Sequence, residues 1–341
     1  MRALIARQKS EFSAINPGVS CTCFDALAVA PFTTGLGNEH PLENGFAFLN
    51  PYGLPYLPGS GVKGVLRQAA RELASGAWGE PLGWSENKSY WMKVGKERVE
   101  LSVIDVLFGL ESGDGDTAHV RGALSFWDVI PQIKGDSLMV EIMTPHQSHY
   151  YQQKPAAGSV SPHDSGSPNP ICFLTVPPGS SFTFHVVCDT AHLARLTRER
   201  AAGMSELFAE GETHWRSLLQ HAFEHAFEWL GFGAKTAVGY GAMRELSSKE
   251  VAAFEVARLQ CEWVDRTIGE IATRHKVPSS RIDDVIRGKH LAEAWSAIED
   301  EDLKRKALAD IQSRWQAKGW WESPPPGVAS KAKAMYTTDG K

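Results

Sequence analysis

Three observations in the sequence predict an α+β fold with a helical appendage at its C-terminal end. Short segments of alternating apolar and polar residues, bounded by Pro and Gly, recur between residues 20 and 188 and read as strands. Two segments, 59–76 and 211–230, carry apolar residues at helical spacing. From about residue 249 long helical stretches run without strand signals. At roughly 100–200 residues per domain, 341 residues suit one elaborated domain over 1–248 and a helical region over 249–341.

The first strand is SCTCFDALAVA (20–30), with Asp25 inside it, and it ends at Pro31. Five prolines between Pro31 and Pro58 exclude a helix or a central strand there, so this stretch is a long loop. Val62, Val65, Leu66, Ala69, Ala70 and Leu73 then mark one face of a helix, with Ser60 or Gly61 near the N-cap and Gly76 as its stop. Residues 77–118, with Trp78, Trp84, Trp91 and the polar run SGDGDT, read as an insertion holding one helix that ends in DVLFG. Strand candidates follow in VRGALSFWDVI (120–130), SLMVEIMT (137–144), ICFLTV (171–176) and SFTFHVVC (181–188). The PPGS turn between the last two predicts that they form a hairpin. In SFTFHVVC, Phe182, Phe184, Val186 and Cys188 alternate with Ser181, Thr183 and His185, which predicts one buried and one exposed face. The insertion 145–170 is rich in Pro, Gly and Ser and too polar to build a core, so a long mobile loop is expected. Trp215, Leu218, Leu219, Ala222, Phe223, Ala226 and Leu230 define the inner side of the second helix, and a glycine-rich loop leads from it into a final strand. The last segment, ESPPPGVASKAKAMYTTDGK, reads as a frayed, flexible tail.

Composition narrows the function. A hydrophobic share of 43% and a charged share of 22% exclude wholesale disorder and a collagen-like chain. The net charge of −5 gives no overall basic field, so a nucleic-acid ligand requires locally gathered cations. No stretch approaches the roughly 18 apolar residues of a membrane span, and the start lacks the features of a secretory signal, so a cytoplasmic protein without membrane contact is expected. The five cysteines are scattered and odd in number, and Cys21-x-Cys23 is too tight for a zinc knuckle, so they read as reduced thiols and no metal site is expected.

Two glycine-rich turns carry lysines. Gly59-Ser60-Gly61-Val62-Lys63-Gly64 satisfies G-x-G-x-x-G, but the segment before it holds three prolines instead of an apolar strand, which argues against a dinucleotide site; no cofactor is expected. It does offer a helix N-terminus for an anion, with Lys63, Arg67 and Arg71 along one face; composition alone favours a merely solvated face. The second turn sets Gly231, Gly233, Gly239 and Gly241 around Lys235 and Thr236. It resembles a cradle for an anion or a nucleotide backbone, the alternative being a tight helix-to-strand connector. His146 with His149 and His221 with His225 have metal-compatible spacing but no evident carboxylate partner, and the second pair falls on the outer helix face. His40 is a weak candidate general acid or base.

In order along the chain, GLGNEHPLENG, YGLPYLPGSGVKGVLR, DVLFG, GALSFWDVI, EIMTPHQSHYY and GFGAKTAVGYG resemble the RAMP superfamily of CRISPR RNA-binding proteins over residues 20–246. The TPH-x-x-x-YY run and the G-L-G-x-x-H-P-x-E start look like the family of sixth subunits of type III-B (Cmr) effector complexes. The superfamily's usual PGSS-x-KG appears here as PGSGVKG, which removes a hydroxyl at Gly61 and keeps the turn. The resemblance implies a ferredoxin-like, RRM-related sheet packed on two helices. It further implies a non-catalytic subunit that caps one end of the backbone near the 3′ part of the CRISPR guide RNA, has guide RNA and target RNA as partners, and docks on the repeated backbone subunit, the small helical subunit and the first RAMP subunit. By the same carry-over, Gly59, Ser60, Gly61, Lys63, Gly64 and Arg67, and Gly231, Gly233, Lys235, Thr236, Gly239 and Gly241, would contact RNA, and Tyr150 and Tyr151 would stack on bases. The aspartate that cuts target RNA in the repeated subunit has no equivalent, since Asp25 lies inside the first strand. The alternative is a metal-independent RAMP endoribonuclease that processes CRISPR RNA with His40.

Overall fold

A computed structural model describes residues 1–15, 20–39, 44–95, 97–110, 119–135, 137–145, 168–204, 207 and 214–338. The chain divides into two units, Met1–Leu246 and Ser247–Lys341.

The first unit opens with helix α1 (Arg2–Ala14), and strand β1 (Cys21–Ala28) follows. In β1 the period-2 pattern turns Phe24, Ala26 and Ala28 to one face. The Pro-rich stretch after it forms a minimal hairpin of β2 (Phe48–Leu49) and β3 (Leu54–Pro55). Helix α2 (Gly59–Ala74) begins at Gly59, one residue before the expected cap. The Ser60 side chain caps nothing; the Gly59 N–H instead donates to the Asp128 carboxylate at 2.7 Å.

Within the described part of the 77–118 stretch, residues 77–110 hold a second hairpin, β4 (Tyr90–Val94) with β5 (Glu97–Leu101), beside the one helix that the sequence predicts there. Helix α3 (Val103–Phe108) follows, its start fixed by a reciprocal Ser102–Asp105 capping box. Trp84, Tyr90, Leu101 and all of α3 are buried in the main core, so this segment is structural.

The expected strand 120–130 is broken into β7 (Val120–Arg121), which pairs with the short β6 (Gly109–Leu110), and β8 (Leu124–Phe126). The proposed hairpin of ICFLTV with SFTFHVVC does not form. Instead β10 (Ile171–Thr175) pairs antiparallel with β9 (Met139–Met143), while β11 (Ser181–Cys188) pairs with β1 and β8. Two prolines at 177 and 178 remove consecutive N–H donors, so no two-stranded ladder continues across that turn. Alternation identifies a strand without naming its neighbour.

Helix α4 (Thr190–Leu196), strand β12 (Glu199–Arg200), helix α5 (His214–His225) and strand β13 (Met243–Glu245) complete the unit. The central sheet is antiparallel in the order β13-β1-β11-β8. On its helical side, Phe223 of α5 stacks on Phe24 at 4.1 Å and meets Phe184 edge-on at 5.4 Å, while Val62, Leu66, Ala69 and Ala70 of α2 fill the remainder.

The opposite face of β11 departs from the expected alternation: His185 is 5% exposed. Phe12 of α1 lies 4.5 Å from its ring, and Trp127 closes a third side. Burial pushes the imidazole from its ordinary 6.5 down to about 4, partly opposed by the Asp25 carboxylate. An unfolded chain therefore takes up this proton before the folded one does. Stability should be full above about pH 6.5 and fall progressively towards pH 4. Urea unfolding at about pH 7.5 and about pH 4 should show wild type losing about 3 kcal/mol more than His185→Phe. Equal losses in the two proteins would mean that the histidine is solvated.

The second unit is helical: α6 (Ser248–Arg274), α7 (Ile282–Ile286), α8 (Lys289–Ser296), α9 (Glu301–Ala317) and α10 (Val328–Thr338). A Ser247–Glu250 capping box starts α6. Trp263, Ile268, Leu291, Trp295, Ile311 and Trp315 form its core. The expected frayed tail is helix α10, and Ala329, Ala332 and Tyr336 bury it against that core. An apolar i, i+3, i+7 stripe inside a Lys-rich segment was the overlooked signal. No helix among the described residues is long and apolar enough to cross a membrane.

Candidate functional site

The glycine-rich loop after α5 is pinned on both sides to the chain leaving β1. The Gly241 N–H donates to the Pro31 carbonyl and the Ala234 N–H to the Thr33 carbonyl, each at 2.8 Å, and the Phe232 N–H returns to the Gly241 carbonyl at 2.9 Å. Close approach explains the glycines at two points. A Cβ on Gly233 would stand 2.3 Å from the Thr33 oxygen, and one on Gly241 would stand 1.8 Å from the Phe232 oxygen; both have positive φ. Gly231 and Gly241 are buried, so they close the loop upon itself, whereas Gly233 and Gly239 face solvent.

Lys235 is held in the left-handed region at φ 61°, ψ 29°, a costly conformation for a side chain with a Cβ. Its ammonium donates to the Met143 sulfur at 3.3 Å and lies 5.3 Å from the centre of the Phe173 ring. Tyr240 meets Phe173 edge-on at 5.4 Å, and its hydroxyl donates to Glu141 at 3.5 Å. The fold thus sets a lysine, a phenylalanine and a tyrosine side by side where the loop touches the β9–β10 hairpin. Thr236 is half-buried beside them.

The first turn is less open than its sequence suggests. A Cβ on Gly59 would stand 2.1 Å from the Phe126 oxygen, so this glycine packs α2 against the end of β8. Its N–H, expected to be free for an anion, is held by Asp128. Ser60 and Gly64 are exposed, Gly61 and Lys63 are half-buried, and Lys63 makes no ion pair among the described residues. Arg67 does not lie on the outer face with Lys63. It is buried, and its guanidinium donates to the Gly109 carbonyl at 2.9 Å, tying α2 to the end of α3. The reason is geometric: α2 is covered by the sheet on one side and by α3 and α5 on others, so its buried arc is wider than its apolar stripe. Among the described residues no hydrogen bond or ring contact joins the Lys63 turn to the Lys235 loop.

His225 is likewise no outer-face residue. It is buried, and its Nε2 donates to the Glu72 carboxylate at 2.7 Å, a carboxylate partner from α2 that spacing within one helix does not reveal. A single π-helical turn, Ala226–Leu230, ends α5 and brings the exposed Trp229 within 5.1 Å of the exposed Trp78. Among the described residues no three His, Cys, Asp or Glu side chains gather as a metal site. His40, His146, His149, Tyr150 and Tyr151 lie outside the described residues.

The strand succession, the glycine-rich closing loop and the PGS-x-x-KG turn belong to one protein class: the RAMP superfamily model matches residues 26–244, and the chain belongs to that superfamily. Over 248 residues it is 27% identical to the CRISPR system Cmr subunit Cmr6 of Pyrococcus furiosus, covering 62% of this chain and 64% of that protein. The chain thus matches just under two thirds of that relative's length. Among solved structures, a chain of the type III-B Cmr-beta complex bound to cognate target RNA is similar with a TM-score of 0.44 and 16% identity, covering 72% of this chain and 64% of that one. The crystal structure of Cmr6 from Pyrococcus furiosus is similar with a TM-score of 0.32 and 26% identity, covering 67% of this chain and 98% of that one.

Proposed function

We propose that this chain is a non-catalytic RNA-binding subunit of a type III-B CRISPR–Cas (Cmr) effector complex, capping the backbone near the 3′ part of the guide RNA and supporting interference with target RNA. The observation that carries the reading is the Lys235 loop, which sets the half-buried Lys235 and Tyr240 against the buried Phe173 ring, a cation and an aromatic ring on one loop, in a member of the RAMP superfamily. Single strands are held by this pairing of phosphate-neutralising cations with aromatic platforms. The 27% identity to the Cmr6 relative supports the place in such a complex. We assign the first unit a ferredoxin-like sheet, because β1-α2-β8-β11-α5-β13 is a β-α-β-β-α-β succession. Lys63 and Lys235, with the exposed Gly233 and Gly239, are the backbone contacts in this reading; Arg67 serves the fold. Guide RNA, target RNA, the repeated backbone subunit, the small helical subunit and the first RAMP subunit are its partners.

The test is co-expression with a type III-B subunit set and a CRISPR array, followed by purification through this chain. We expect the other subunits and guide RNA to be recovered with it. The purified protein alone, incubated with repeat RNA in the absence of metal, should leave the RNA intact. Specific cleavage lost in His40→Ala would replace this reading with the endoribonuclease.

A further inference from the structure

A pocket of about 470 Å³ lies between α1 and the Phe126–Ile130 segment that leaves β8. That volume suits a nucleoside-sized ligand. Trp127 and the aliphatic side chains of Leu4, Leu49 and Ile130 supply apolar walls, while Arg7, Glu11 and Asp128 supply charge.

The walls are held in place from several directions. Phe12 meets Trp127 edge-on at 5.6 Å, the Gln8 amide donates to the Asp128 carbonyl at 2.6 Å, and the Gly59 N–H orients the Asp128 carboxylate through one of its oxygens. The other oxygen of Asp128 and both oxygens of Glu11 have no partner among the described residues. Arg7 makes no ion pair there and reaches only the Tyr52 hydroxyl, at 3.4 Å.

This charge pattern selects its ligand. Two carboxylates repel a phosphate and an ionised carboxylate only accepts hydrogen bonds, so they call for N–H donors, while Arg7 opposes a cation and Trp127 offers a ring surface, which together suit a flat, neutral base. Guanine carries adjacent N1–H and N2–H₂ donors on one edge and the O6 and N7 acceptors, which suit an arginine, on another. Adenine and the pyrimidines lack that combination. Through Asp128 and Gly59 the pocket adjoins the first turn of α2, where Lys63 lies one turn on.

We propose that this pocket binds one unpaired guanine base of the bound RNA, seated against Trp127 and held by Glu11 and Asp128 on its donor edge, with Arg7 at the rim. The proposal rests on the RNA-binding reading above.

Its test uses the full chain, titrated with GMP, IMP, AMP and CMP by calorimetry or saturation-transfer NMR. GMP should bind about tenfold more tightly than AMP or CMP, with IMP, which lacks the N2 amine, in between. Glu11→Gln, an isosteric change on an exposed helix position, should bring GMP to within about threefold of AMP while the unfolding temperature stays unchanged. A second measurement compares retention of a short single-stranded RNA holding one guanine with the same RNA holding hypoxanthine. RNA retained without discrimination, or a GMP preference untouched by both Glu11→Gln and Arg7→Ala, would overturn the pocket. A GMP preference with no RNA retained would instead overturn the RNA-binding reading and leave a guanine site standing.

Discussion

Gly241→Ala should destabilise the sheet-containing unit by at least about 3 kcal/mol, because it combines a strained backbone with a collision that no rotamer can relieve. Gly241 has φ of +71°, and its new Cβ would meet the Phe232 carbonyl oxygen at 1.8 Å, on a residue whose own N–H closes the loop by donating to the Gly241 carbonyl. Relief requires breaking the Gly241-to-Pro31 or Phe232-to-Gly241 hydrogen bond, which frees the Lys235 segment from β1. Gly239→Ala is the internal control. Its φ is also positive, at 94°, but nothing lies within 4 Å of the added atom, so only the conformational cost of about 1 kcal/mol applies. Urea unfolding of both variants, with RNA retention measured alongside, checks the pair. Equal and small losses would show that the loop opens freely and positions nothing.

The double variant Lys63→Ala, Lys235→Ala should weaken RNA retention roughly 10- to 100-fold and lower the salt slope by about 1.4, since each phosphate contact on a single strand contributes about 0.7. The loss should be nearly independent of RNA sequence, because phosphates carry no base information. Arg67→Ala separates binding from folding. Its guanidinium serves the Gly109 carbonyl inside the unit, so that variant should lower stability and leave the salt slope at the wild-type value. Filter binding across a salt series reads all of these slopes. An unchanged slope in the double variant would remove both lysines from the RNA surface.

Both expectations depend on placements that a one-dimensional pattern supplies only in part. By itself the sequence determined what is local in this protein. The strand content of β1 and β11, the apolar faces of α2 and α5, the glycine-rich loop around Lys235 and the change to helices after residue 248 follow from side-chain periodicity and backbone restriction within a few residues. Tertiary structure alone decided the rest. The pairing of β11 with β1, the burial of His185 under Phe12, the inward turn of Arg67 and the His225–Glu72 bond each join residues far apart in sequence or depend on what covers a helix flank. A helix reports one apolar stripe to its own sequence, but a helix packed on two sides also buries the flanks of that stripe, where a histidine or an arginine is tolerated once another element supplies its partner. Periodicity therefore fixed which segments were strands and helices, and only packing fixed which of their polar residues serve the fold and which remain for a ligand.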